Sequence, residues 1–269
     1  MKLNKRKWKM VGTMVLWVGI ITYLGITIAF VKNKRGDVVC RKVEVVIADS
    51  TENRFVNKDD VIKAANSVVK QLVGTRISKI NSYRIERKLL EMQLLKSAEV
   101  FSTVDGVLTI RVSQRDAIMR VYNTDGSSNY IDSEGYIIPL SARYAANVIV
   151  VNGNISIRAN GKGRVRIFRN AADTTNRKGL LNELYSFVSY IRNDKFWGSQ
   201  IVQVYINSEK DVDLVTRVGN HTVKMGSLEG YENKLNKLYA FYKNALPLEG
   251  WNKYSVINLK YGNQVICKK

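Results

Sequence analysis

Ala-Glu-Val-Phe-Ser-Thr-Val-Asp-Gly-Val-Leu-Thr-Ile-Arg-Val-Ser, residues 98–113, decides the fold of the first half of this chain. Two alternating apolar runs, 98–104 and 107–113, meet at Asp105-Gly106. Asp-Gly between such runs is a strong hairpin signal, because a tight turn needs positive φ. Upstream, Val43, Val45 and Ile47 alternate with polar residues and mark a strand over 42–47. Between strand and hairpin lie two helical stretches. Asn57 is a good cap for the first, with Asp59 and Asp60 in its first turn, where the helix dipole favours anions. Val61, Ala64, Ala65, Val68, Val69 and Leu72 form its apolar stripe, and Gly74 stops it. The second starts after Asn81 and buries Ile85, Leu89, Met92 and Leu95. The order is β-α-α-β-β, two helices on one face of a three-stranded sheet. The first strand takes an edge of that sheet or the place between the hairpin strands.

Working outward toward the start, residues 10–31 carry no charge and follow Lys2, Lys5, Arg6, Lys7 and Lys9. About 20 apolar residues span a hydrocarbon core of roughly 30 Å. The run is longer than the apolar region of a cleaved signal peptide and precedes no small-x-small cleavage site. Residues 1–9 therefore read as a short tail and 10–31 as a transmembrane helix. Lys32, Lys34, Arg35, Arg41 and Lys42 follow it, so the positive-inside rule is nearly balanced. The long trailing domain favours export, because long domains translocate largely regardless of charge.

Beyond residue 114 the chain turns to strands and turns. Short strands are predicted at 119–123, 128–131, 136–140 and 146–151. A helix over 178–191 presents Leu181, Leu184, Tyr185, Val188 and Ile191 inward. A meander follows at 201–206, 212–216 and 222–225, then an amphipathic helix over 228–246, then strands at 255–260 and 264–267. The class is α+β: a transmembrane helix, the β-α-α-β-β module over 38–113, and a β-rich domain of antiparallel strands with flanking helices over 114–269.

The chain has 269 residues, a net charge of +20, two prolines, two cysteines and one histidine. So strong a basic excess suits acidic neighbours such as anionic lipid, wall polymer or acidic protein. No nucleic-acid-binding motif is present, and none of the basic stretches is interleaved with aromatics as in a groove reader. Cys40 and Cys267 stand at opposite ends of the folded body and read as independent thiols.

Catalytic chemistry is poorly provided. His221, alone of its kind, lies in Gly219-Asn220-His221-Thr222 and reads as a surface turn residue. Asp211 and Asp213 share a strand face and can hold a cation or do acid–base work, but a solvated hairpin edge explains them as well. Asp132 and Glu134 read likewise, as a solvated turn. Asn160-Gly161-Lys162-Gly163 lacks the Lys-Ser/Thr of a phosphate-binding loop. With Arg164, Arg166 and Arg169 it is a basic loop suited to anionic polymer or acidic partners.

The sequence resembles the FtsQ/DivIB family, bitopic cell-division proteins of bacteria, over essentially its whole length. The resemblance rests on order and spacing: Phe55-Val56-Asn57-Lys58-Asp59-Asp60, Ile80-Asn81 with Ile85-Glu86, Ala98-Glu99-Val100, Leu108-Thr109-Ile110, and Gln114-Arg115. Arg120-Val121, Tyr130-Ile131-Asp132, Gly135, Pro139-Leu140-Ser141, Gly219-Asn220-His221, Gly250-Trp251 and Ile257-Asn258-Leu259-Lys260-Tyr261 continue it. It implies that 38–113 is a POTRA module. It implies a non-enzymatic divisome scaffold without cofactor or metal, which links early and late division proteins and regulates septal peptidoglycan synthesis. The implied place is the cell inner membrane at the septum, single-pass type II, with the C-terminal domain periplasmic. The implied partners are FtsB and FtsL at the last strand, and FtsK, FtsW and FtsI elsewhere. Leu259, Lys260, Tyr261 and Gly262 match that last strand, which accepts a partner strand by β-augmentation. Tyr261 suits a binding hot spot and equally an ordinary strand aromatic. Beyond it, Asn263-Gln264-Val265-Ile266-Cys267 departs from the family's longer tail. The other reading is a membrane-anchored POTRA chaperone of outer-membrane assembly or secretion, although such proteins usually carry several modules and a barrel.

Overall fold

The computed structural model describes residues 4–36, 38–49, 54–157, 165–167, 179–207, 211–262 and 264–269. Helix α1 (Asn4–Gly36) comes first. Its described side chains, Trp8 and those of residues 12–28, are almost all exposed, Met14, Trp17 and Ile21 among them. Among the described residues no helix is long and apolar enough to cross a membrane. The span expected at 10–31 runs past the described side chains at both ends.

The chain then forms two compact units. The first contains β1 (Lys42–Ile47), α2 (Lys58–Asn66), α3 (Ser82–Leu90) and most of β2 (Leu95–Ser102) and β3 (Val107–Gln114). The sheet order is β1-β3-β2, so the first strand takes an edge, parallel to the second hairpin strand. β3 is central because it has the fullest alternation: Leu108, Ile110 and Val112 are buried. Val61 and Ala65 of α2 and Ile85 and Leu89 of α3 supply the helical half of the core.

Both caps form. Asn57 Oδ1 accepts the Asp60 amide at 2.8 Å while the Asp60 carboxylate accepts the Asn57 amide, a capping box. Asn81 Oδ1 accepts the Arg84 amide at 3.0 Å. The first helix is shorter than its apolar stripe suggests. It ends at Asn66, and Ser67 Oγ bonds back to the Ala64 carbonyl at 2.7 Å. The β-branched pair Val68-Val69 that follows favours helix poorly. At the hairpin, Gly106 has φ +82°, and a Cβ there would collide with the Val39 carbonyl.

The second unit contains residues 49–56, 93–96 and everything from Gln114 onward. Its strands are β4 (Ala117–Tyr122), β5 (Ser128–Asp132), β6 (Tyr136–Ile138), β7 (Ile149–Gly153) and β8 (Val165–Arg166). Helices α4 (Leu180–Asn193) and α5 (Trp197–Gln200) lead to β9 (Ile201–Ile206), β10 (Val212–Thr216) and β11 (Thr222–Gly226). Helices α6 (Tyr231–Asn244) and α7 (Leu246–Glu249) lead to β12 (Val256–Asn258) and β13 (Ile266–Lys268). One sheet runs β13-β12-β11-β10-β9-β7-β4-β5-β6-β8.

The sheet is mixed, which corrects the expectation of antiparallel strands. β4–β7, β7–β9 and β11–β12 are parallel. The cause is connectivity. Parallel neighbours need a crossover of a dozen residues or more, and α4 with α5, and α6 with α7, supply two of them. Leu184, Phe187, Val188 and Ile191 of α4 and Leu235, Leu238 and Tyr242 of α6 share one apolar cluster with the sheet.

Two polar centres lie inside this unit, and both correct the sequence reading. Asp132 is not in solvent. It is 1% exposed and ion-paired with the equally buried Arg115. Asp132 Oδ1 also accepts the Glu134 and Tyr136 amides at 3.0 and 2.7 Å, and the Arg115 guanidinium lies 4.1 Å from the Tyr136 ring centroid. His221 is not a surface residue either. At 4% exposure its Nε2 faces the Tyr242 hydroxyl at 2.5 Å, and the Tyr242 ring packs edge-on against Trp251. Burial holds the His221 pKa below its ordinary value, partly offset by the Trp251 carbonyl. Burial also pushes the Tyr242 hydroxyl up to about 12, despite its bond to Thr216.

Candidate partner-binding edge

The residues singled out for partner binding sit at one end of the ten-stranded sheet. They are not themselves a strand. β12 stops at Asn258, shorter than the expected 255–260, and residues 259–262 carry the chain from β12 toward β13.

Each of the four is held by the body of the unit. Leu259 is fully buried, and its amide donates to the Lys224 carbonyl at 2.9 Å. The Lys260 amide donates to Asn258 Oδ1 at 3.0 Å, and its ammonium pairs with Asp211. Its aliphatic stem lies over Gly226, where a Cβ would meet it and where φ is +74°. The carbonyls of Tyr261 and Gly262 both accept from Lys237 Nζ of α6, at 2.7 and 3.0 Å. The Tyr261 side chain stays 51% exposed. A groove of about 700 Å³ separates this turn from α6, with Asn233, Lys237, Ala240, Leu259 and Tyr261 in its walls.

β13 lies outside this turn in sequence and at the margin of the sheet. It pairs antiparallel with β12 through Val256↔Lys268, Ile257↔Cys267 and Asn258↔Ile266. Ile266 is 44% exposed, whereas Val265 and Cys267 are half-buried against the apolar cluster. Among the described residues no strand lies beyond β13.

The catalytic candidates do not assemble. Asp211 is taken by Lys260, and burial raises the half-buried Asp213 above the ordinary carboxylate range. Burial also pushes both thiols, Cys40 and Cys267, above the usual value, which disfavours thiolate chemistry. Among the described residues no three metal-ligating side chains come together. Of the basic loop, Lys162, Arg164 and Arg169 lie outside the described residues. Arg166 is described, and its Nε donates to the Glu134 carbonyl at 2.7 Å.

A β-α-α-β-β module followed by a mixed ten-stranded sheet with flanking helices defines the class as an α+β protein of two units. Residues 38–113 match the POTRA-like domain, and residues 116–268 match the domain described as FtsQ/DivIB, C-terminal related. That second match spans more than half of the chain, which belongs to the FtsQ/DivIB family of cell-division proteins. No curated protein matches the chain.

Sequence reasoning missed Lys237, which holds the turn from 24 residues away. Its place on α6, one helical turn beyond Lys234, offers no local sign of that reach.

Proposed function

We propose that this chain is a membrane-anchored, non-enzymatic scaffold of the bacterial divisome. Residues 10–31 of α1 are the single inner-membrane span, behind the short cytoplasmic tail 1–9. The POTRA module (38–113) and the β domain (114–269) stand in the periplasm at the septum, in type II orientation. There the chain joins early to late division proteins and regulates septal peptidoglycan synthesis. FtsB and FtsL deliver a strand to the C-terminal edge of the ten-stranded sheet, beside Leu259, Lys260, Tyr261 and Gly262, while FtsK, FtsW and FtsI use other surfaces.

The observation that carries this reading is the C-terminal margin of the sheet, where the three-residue β13 lies along β12, with the half-exposed Tyr261 ring beside it. A margin held by so short a strand is where main-chain amides and carbonyls can be given over to a strand from another chain. The uncharged stretch of α1, its described apolar side chains free of packing, supports the anchor.

Co-purification from membranes of the tagged full-length chain, beside its Tyr261→Lys variant, tests the reading. A third ammonium beside Lys237 and Lys260 blunts the margin against strand pairing, as edge lysines do. Small single-pass coiled-coil proteins are expected with the unaltered chain and depleted with the variant. Their absence from the unaltered chain would contradict the scaffold, and equal recovery with both would move the site away from Tyr261.

A further inference from the structure

We propose that β13 is a resident copy of the partner strand, and that the partner binds by exchange: an antiparallel strand of apolar–x–apolar pattern replaces β13 beside β12. The inference rests on the reading of the C-terminal edge as the partner site and names what occupies that site beforehand.

The anchoring on the two sides of the turn is unequal. Residues up to Gly262 are fixed by the buried Leu259, by the Lys260–Asp211 pair and by the two Lys237 bonds. None of these depends on β13. The strand itself has a three-residue ladder, with the Ser255 amide donating to the Lys268 carbonyl at 2.8 Å and the Ser255 hydroxyl to the Lys269 carbonyl at 3.0 Å. β13 can therefore leave while β12 and the turn stay in place.

What β13 gives to the sheet defines what can replace it. Val265 and Cys267 pack against the apolar cluster, while Ile266 and Lys268 face outward. Side chains alternate across a strand, so a replacement needs apolar residues at two positions separated by one and tolerates any residue between them. Addition outside β13 is disfavoured. That margin is three residues long and ends in Lys268 and Lys269, and short, lysine-bearing edges resist pairing.

The test uses a fluorescein-labelled peptide of residues 264–269 with Cys267→Val, which keeps the second apolar position, read by anisotropy against three forms of the otherwise full-length chain in detergent. The first is unaltered, the second lacks residues 264–269, and the third carries Val256→Cys and Lys268→Cys in a Cys267→Val background. Directly opposed residues of an antiparallel pair lie about 4.5–5.5 Å apart at Cα, within disulfide reach, so oxidation staples β13 in place. The shortened chain is expected to bind about tenfold more tightly or better than the unaltered one, whose competent state is scarce. The oxidised staple should not bind, reduction should return it to the unaltered level, and a Val265→Asp peptide should bind no form. Equal binding to the oxidised and reduced staple would overturn the proposal, as would no binding to a shortened chain that retains its cooperative thermal unfolding. If the shortened chain fails to fold, the staple decides alone. Failed exchange with coiled-coil partners still recovered from membranes would sink only this inference. Successful exchange with no such partner would sink only the scaffold reading.

Discussion

Two parts of the ten-stranded sheet, the β4–β5 pair within it and the margin at β13, are secured by opposite means. Where the sheet begins in sequence, Arg115 and Asp132 form an ion pair with both side chains 2% exposed, backed by Glu134 at 3.4 Å and the Tyr136 ring. The preceding residue, Gln114, accepts the Val56 amide at 2.8 Å and donates its own amide to Asp49 at 2.9 Å. Phe55 packs edge-on against Tyr130 and Tyr144. That pair of strands is over-determined, and loss of Arg115 leaves the Asp132 carboxylate buried without its ion-pair partner. The margin at β13 closes with three residues and two half-buried side chains. A buried, ion-paired charge fixes geometry, whereas a short apolar strand can be replaced by another of the same pattern.

The largest expected effect would break this contrast if it failed. Arg115→Ala should cost about 3–5 kcal/mol in denaturant unfolding, because it strands the buried Asp132 carboxylate. Combined with Asp132→Leu, much of that loss should return, since no lone charge remains.

The second prediction concerns pH and the region around β11. In the fold, burial keeps His221 neutral below its ordinary value, while unfolded it titrates near 6.5. Folded His221 therefore resists protonation. Its contribution is constant above about pH 6.5 and falls as the pH drops through and below that value, until the buried ring itself protonates. Unfolding midpoints across that range should show this acid loss, and His221→Gln should flatten it.

A smaller effect sharpens the comparison from the first unit. Asn57→Ala removes the capping-box acceptor for the Asp60 amide and should cost about 1 kcal/mol. Smallest is Lys253→Ala. Its pair with Glu249 is solvated, both side chains being over a third exposed, and such pairs are worth within about 0.5 kcal/mol. Thermal unfolding of both variants checks the order.

What could be seen in advance follows from how local each signal is. Asn57, Asn81 and Asp105-Gly106 act within three or four residues, so their caps and turn were readable in the chain alone. Family resemblance placed Arg115 and Asp132 near one another in order, but nothing local marks them as a buried pair. Their meeting depends on the β4–β5 ladder. His221 looked solvated because its turn is polar, and its burial depends on Tyr242 and Trp251 from later in the chain. The parallel ladders were hidden for the same reason, since strand patterns do not record which neighbour a crossover helix delivers. At the C-terminus the strand pattern through Tyr261 was extended too far. Asn258 turns the backbone by accepting the Lys260 amide, and the chain leaves the ladder there.

Residue-resolved native-state hydrogen exchange on the full-length chain tests the contrast between β13 and the β4–β5 pair most directly. The account predicts that the amides of Ile266–Lys268 exchange by local opening, at rates insensitive to low denaturant, while those of β4 and β5 exchange only with global unfolding. Protection of β13 equal to that of β4, with the same denaturant dependence, would contradict it.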